Sequence, residues 1–229
     1  MSLFVIADTH LSLSTDKPMD IFDGWSDYQQ RLEKNWRAVV GEDDTVVIPG
    51  DVSWAMSLSQ AVEDFRFLNS LPGKKIIMKG NHDYWWTTMR KMENFLKENE
   101  FDTISILHNN AYRVGDIAVC GSRGWFFDAE EETDKKVILR EAGRLRASIE
   151  AALKLGGEPV VFLHYPPVSQ TQVCGEIYDV LVEYGIRHCY YGHLHSYSTR
   201  TAFTGEKDGI KFSLISGDYL EFLPRLVMV

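Results

Sequence analysis

Five of the seven histidines stand in short polar signatures: Asp8-Thr9-His10, Gly80-Asn81-His82-Asp83, His164 and Gly192-His193-Leu194-His195. Gly50-Asp51 has the same character. Aspartate, asparagine and histidine offer carboxylate, amide carbonyl and imidazole, the donors of a divalent or transition-metal site. No cysteine enters the set, so a thiolate site is disfavoured and Mn, Fe or Zn is the expected metal. Each signature alone also has an ordinary structural explanation. Gly-Asp is a common turn, Asn81 or Asp83 could cap a helix, and His164 could be a core histidine. His108 reads as a turn residue, and His188 as the first residue of a strand.

What sets these residues apart is their position. Each signature directly follows an apolar, strand-like run: Leu3 to Ala7, Val46 to Ile48, Ile76 to Met78, Val160 to Leu163 and His188 to Tyr191. In an open α/β sheet the carboxyl ends of the strands share one edge, and ligand sites form there. At period two, Asp8 and His10 are expected to point the same way from an extended segment, and His193 and His195 to repeat the arrangement. Gly50 lets the backbone turn tightly before Asp51.

The connecting elements follow from periodicity and caps. Ser26 or Asp27 is expected to start a helix running to about Val40. Ser57 and Gln60 form a capping-box pair ahead of apolar positions Ala61, Val62, Phe65 and Leu68. Trp85, Met89, Met92 and Phe95 recur at helical spacing. Thr103 to Leu107 reads as a strand, and Tyr112–Val114 with Ile117–Cys120 as a hairpin about Gly115-Asp116. Ser122 to Lys136 is irregular and aromatic at Trp125, Phe126 and Phe127. Glu131–Lys135 and Glu132–Lys136 have i,i+4 spacing, and a helix from there runs to Leu155. A short helix is expected near Ile177 to Tyr184, and strands at Pro159–Leu163, Arg187–Tyr191, Ser198–Phe203 and Ile210–Ile215. Strand and helix alternate early and strands dominate late, which predicts α/β with a mixed sheet. Pattern alone leaves open whether there is one sheet or two.

The chain has 229 residues, 45% hydrophobic and 25% charged, which suits one globular domain over 1–229. Its three cysteines are odd in number and widely spaced, as expected of reduced thiols in a cytoplasmic protein. No apolar run approaches the roughly 18 residues of a membrane span, and the start lacks the basic region of a signal peptide. A net charge of −9 argues against a nucleic-acid partner, which would call for a broad basic face. Bound divalent ions would reverse that field locally.

In order, Asp-x-His, Gly-Asp, Gly-Asn-His-Asp, His and Gly-His-x-His across residues 8 to 195 resemble the calcineurin-like metallophosphoesterase superfamily. The resemblance implies a four-layer α-β-β-α sandwich of two mixed β-sheets flanked by helices, carrying two metal ions at the strand ends. It implies that Asp8, His10 and His195 hold the first ion, that Asn81, His164 and His193 hold the second, and that Asp51 bridges them. His82 would stand outside the metals near the substrate and donate a proton to the leaving group or stabilise charge there. Asp83 would accept a hydrogen bond from His82 and orient its ring. The implied activity is hydrolysis of a phosphomonoester or phosphodiester by a metal-bridging hydroxide.

The substrate is less legible. Protein phosphatases of this superfamily carry Asp-Arg soon after Gly-Asp, and Glu after Gly-Asn-His. This chain has Val52-Ser53-Trp54-Ala55 and Asp83. No length is spare for the DNA-facing domain of a repair nuclease. A small-molecule phosphoester or nucleotide derivative is the expected substrate. A nuclease acting on nucleic acid and a non-catalytic metal-binding scaffold are the alternatives. Specificity is expected in loops Leu11–Trp25, Trp54–Met56, Tyr84–Trp86, Ser122–Phe127 and Tyr165–Gln172. Their aromatics either stack on an apolar part of the substrate or cover the core. Arg123, just past a strand, is a candidate phosphate contact. Oligomeric state is not legible.

Overall fold

The computed structural model describes residues 1–125 and 132–228. Its strands form two mixed sheets. The first contains β1 (Leu3–Val5), β2 (Thr45–Ile48), β3 (Lys74–Ile77), β4 (Ile104–Ile106) and β11 (Arg225–Leu226), ordered β11-β1-β2-β3-β4. The second contains β5 (Tyr112–Val114), β6 (Ile117–Ser122), β7 (Glu158–Leu163), β8 (His188–Tyr191), β9 (Gly205–Lys207) and β10 (Ile210–Leu214), ordered β5-β6-β7-β8-β10-β9. The inner pairs of both sheets are parallel, with register Val47↔Ile76 in one and Val161↔Cys189 in the other; β11, β5 and β9 run antiparallel at the edges.

Period-two alternation divides the core between layers. Along β7, Val160 and Phe162 pack into the cluster that contains the residues of β1 to β3. Val161 and Leu163 point the other way, against Leu145 and Ile149 of α4 (Glu132–Leu155) and Ile177 and Leu181 of α5 (Gly175–Glu183). The outer face of the first sheet is covered by α1 (Tyr28–Val39), α2 (Val62–Ser70) and α3 (Met89–Glu98), through Leu32, Trp36, Phe65, Leu68 and Met92. The four-layer sandwich is thus present. Trp36 and Phe65 are fully buried, and truncating either to alanine typically costs about 3–5 kcal/mol.

Local expectations held unevenly. The hairpin about Gly115-Asp116 forms as predicted. Gln60 does accept the Met56 N–H at 2.9 Å, and its own N–H reaches Ser57 Oγ at 3.4 Å, but this closes a turn and α2 begins only at Val62. Trp85 lies before α3 and packs edge-on against Phe65 at 5.0 Å. The strand expected at Ser198–Phe203 is instead a 3-10 helix, Ser196–Thr201. There the Ser198, Thr199 and Thr201 hydroxyls donate to carbonyls three residues back at 2.6–2.8 Å, a local alternative to a strand ladder. Phe126, Phe127 and the Glu131–Lys135 pair lie outside the described residues, as does the side chain of Glu132. Among the described residues, no helix is long and apolar enough to cross a membrane.

Candidate metal centre

Six strand ends reach one edge of the sandwich, and backbone bonds knit their loops together. Past β1, Ala7 bridges Ser216 in parallel and donates to Ile215 O at 2.8 Å, so the two sheets touch at their carboxyl edges. Asp8 N–H donates to Gly50 O at 3.1 Å, His10 N–H to Asp51 O at 2.9 Å and Gly192 N–H to His164 O at 3.1 Å. Gly50 and Gly80 allow this closeness. A Cβ on Gly50, at φ +92°, would sit 2.7 Å from the Gly80 Cα, and one on Gly80 would sit 2.1 Å from Asp51 Oδ1.

The reason Asp8 and His10 converge differs from the period-two expectation. Asp8, His10, Asp51 and His193 have φ of +59°, +43°, +50° and +72°, so they are left-handed rather than extended. Such backbone costs about 1–3 kcal/mol per residue and persists where surrounding bonds over-determine it. Here the loops swing the side chains inward one by one.

The result is two adjoining groups. Asp8, His10 and His195 bring ligand atoms within 4.8 Å of one another, and so do Asp51, His164 and His193. In the first group, His10 Nε2 lies 3.3 Å from His195 Nε2, which lies 3.5 Å from Asp8 Oδ1. In the second, Asn81 Oδ1 lies 2.6 Å from His164 Nε2. Between the groups, Asp51 Oδ2 stands 3.6 Å from His10 Nε2 and 3.6 Å from His164 Nε2.

These donors fit a cation. The 3.2 Å contact of His164 Nδ1 with Pro49 O places the ring proton on that nitrogen, so the Nε2 lone pair faces the Asn81 carbonyl. Two acceptors that close repel each other unless a positive charge sits beside them. Asp8 Oδ1, 3.5 Å from His195 Nε2, is buried with no hydrogen-bond partner among the described residues. Such groups are costly to leave unsatisfied.

Electrostatics points the same way. Burial pushes His10 well below its ordinary value, helped by His195. Burial lowers His164 to about 3, with His193 adding to the effect, and His193 to about 4, with His195 adding. Neutral imidazoles are the form that binds metal. His195 behaves oppositely: burial would lower it, but Asp8 and Asp218 outweigh that and hold it up at about 10. Burial would raise Asp8, yet His195, His164 and His10 keep it below the carboxylate range. Asp51 is raised by burial and by Asp83 and Asp8.

The calcineurin-like phosphoesterase model matches residues 1–197. The chain belongs to that family. A stretch of 64 residues is 36% identical to the Gene 66 protein of Mycobacterium phage L5, covering 28% of this chain and 30% of that protein. The match therefore spans less than a third of the curated relative's length. The fold is shared with a phosphopantetheinyl hydrolase from Mycobacterium tuberculosis (TM-score 0.55, 15% identity, 99% of this chain and 95% of that one). It is shared too with a protein of unknown function from Aquifex aeolicus (TM-score 0.52, 16% identity, 98% and 95%).

Around this candidate centre, His82 lies outside both groups. Its ring sits 4.4 Å from Trp54 and 5.7 Å from His10, and its Nδ1 is 3.4 Å from the Tyr84 hydroxyl. Burial lowers its pKa, with His195 adding to the effect. Asp83 does not make the hydrogen bond to His82 expected of it. Its buried carboxylate accepts five N–H groups: from the backbone of Asp51, Val52, Ser53 and Gly80 and from Trp85 Nε1, at 2.7–3.2 Å. The donors nearest that carboxylate belong to the neighbouring loop, so Asp83 clamps the Asp51 loop to the Asn81 loop. Burial raises it to about 6 against the N–H groups, which favour the anion.

Arg123 is engaged with protein on two sides, over the Trp125 ring at 4.6 Å and 3.6 Å from Glu141. The loop aromatics divide: Trp25 and Trp85 are buried in the core, whereas Trp54 stacks on His10 at 4.9 Å and Tyr84 is exposed. Sequence reasoning missed Asp218. Its Oδ1 accepts from His195 Nδ1 at 3.0 Å and its Oδ2 from Ser196 N–H at 2.8 Å, so it orients a candidate ligand. The signal was available: Gly217-Asp218 follows the Ile210–Ile215 run just as Gly50-Asp51 follows β2.

Proposed function

We propose that this chain is a dinuclear metal-dependent phosphoesterase that hydrolyses a phosphomonoester or phosphodiester of a small molecule or nucleotide derivative, working as one cytoplasmic domain. The observation that carries the reading is Asp51 Oδ2, equidistant at 3.6 Å from an imidazole nitrogen of each group. Asp8, His10 and His195 would hold one ion, Asn81, His164 and His193 the other, and Asp51 both. Mn, Fe and Zn suit these donors. When bound, two such ions lower the pKa of water toward about 7 and neutralise charge on phosphoryl oxygens.

The protein's own part is positional. Asp218 holds the His195 ring so that Nε2 faces the first group. Pro49 O does the same for His164 toward the second. Trp54 stacks on His10 and walls the first group on one side. His82, steadied by Trp54 and Tyr84, is placed to donate to the oxygen that leaves phosphorus.

The test is turnover of aryl phosphomonoesters and phosphodiesters with added Mn²⁺, with and without chelator, alongside metal content per chain. Metal-dependent hydrolysis with two ions bound is expected. A chain that binds two ions but turns over no member of a broad phosphoester panel is a scaffold, and one that binds a single ion overturns the dinuclear reading.

A further inference from the structure

Next to the second ligand group lies a cavity of about 340 Å³ that the chemistry above does not use. It is framed by the ends of β3, β4 and β6, by residues just before α3, and by one face of α4. Lys79, Arg123 and Arg144 line it together with Glu141, Thr87 and His108. Three fixed cations against one carboxylate make it locally positive, in a chain whose net charge is −9. His108 feels that field: burial lowers its pKa, and Arg144 and Lys79 lower it further.

Two features show a built recess rather than a surface dimple. Glu141 is fully buried and takes Arg144 Nη1 at 2.6 Å and Arg123 Nη2 at 3.6 Å, which fixes both guanidinium groups in the wall. Yet Glu141 Oε2 and Arg123 Nε are themselves buried without a hydrogen-bond partner among the described residues. Both atoms lie within the wall, and three cations against one carboxylate leave that wall with surplus positive charge that an anion in the cavity would balance. The cavity also adjoins the metal centre through the chain. Lys79 is two residues before Asn81, and Arg123 O accepts the N–H of Tyr165, which follows His164, at 2.9 Å.

We propose that this cavity is a second subsite that binds an oxyanion carried on the substrate's organic arm. Arginine and lysine take the oxyanion. The substrate class is then a phosphoester bearing a further phosphate or carboxylate. The word substrate rests on the phosphoesterase reading, but the pocket's affinity does not.

The test therefore starts without metal. Chelator-treated protein is titrated by calorimetry with inorganic phosphate, glycerol phosphate and glycerate. Saturable binding of at least one of these oxyanions is expected. Phosphate against carboxylate preference separates the two oxyanion sources. Arg144→Gln, and separately Arg123→Gln, should weaken binding about tenfold or more. Thermal melts check folding, and Thr87→Val, which lines the same recess, serves if either arginine variant fails to fold. No saturable binding by the wild type, or equal affinity in the variants, overturns the proposal. In the metal-loaded protein, Arg144→Gln should raise KM for a substrate carrying a second oxyanion and leave kcat nearly unchanged. Calorimetric binding with no turnover of any ester would sink the phosphoesterase reading and leave the pocket standing.

Discussion

The two ligand groups share Asp51 but are supported in different ways. The first contains the carboxylate Asp8, and a further carboxylate, Asp218, grips the back of His195 at 3.0 Å. The second contains two histidines and the neutral amide of Asn81, and its His164 is oriented by a backbone carbonyl, Pro49 O. Beyond the shared Asp51, one group thus adds a carboxylate and is held by a side chain, and the other adds only neutral donors and is held by main chain. The difference suggests a division of labour. An ion in the first group would be the more tightly held, and one in the second, beside the cationic cavity, would retain more positive charge to offer a phosphoryl oxygen.

The shared residue should give the largest effect. Asp51→Asn removes the one oxygen placed between both groups, so both ions should weaken together, by more than the roughly 100-fold that supporting residues command. Metal content and turnover measured on the same sample check it. Loss of one ion alone would mean that the groups are independent. His82→Ala should come next: turnover falls about 10²–10⁴-fold while both ions stay bound, since His82 belongs to neither group. An unchanged rate with full metal content would remove His82 from the chemistry.

How far these distinctions could be read from sequence depends on how local their causes are. Asp8, His10, Asp51, Asn81, His164, His193 and His195 were legible because each follows an apolar strand-like run, and parallel strands end along one edge. The packing of two sheets was not legible from periodicity, because strands buried on both faces read as continuous apolar runs. The division of Val160 and Phe162 from Val161 and Leu163 is visible only once the layers are known. The left-handed backbone at Asp8 and His10 reverses the period-two reasoning while preserving its outcome, since backbone strain has no signature in residue type. Asp83 misled because adjacency to His82 in the chain suggested contact. Its five donors come largely from a loop some thirty residues away. Asp218 sits beyond the last motif, where only the repeat of a strand followed by Gly-Asp pointed to it.

Asp218→Asn sharpens the comparison on the first side. The amide keeps the shape but loses the charge that fixes and polarises His195, so affinity for one ion should drop about 10–100-fold and the other should hold. Competition with a chromophoric chelator resolves the two affinities. Equal weakening of both would show that Asp218 supports the fold of the edge and not one ligand.

The smallest effect concerns order of release. A group with Asp51 alone attracts a divalent ion less than one that adds Asp8 to it, because each added carboxylate contributes Coulomb attraction at short range. As chelator rises, the ion near Asn81 should therefore leave first, giving a plateau at one ion per chain. Asn81→Asp tests the cause directly: it adds a carboxylate to the weaker group at the same position, so the first release should shift to higher chelator by about tenfold and the plateau should narrow. The second release should stay where it is, because His195 and Asp8 are untouched. If the plateau is absent in the wild type, the two groups do not differ in affinity, and if Asp218→Asn moves the first release and not the second, the assignment of the tighter ion to the Asp8 group is reversed.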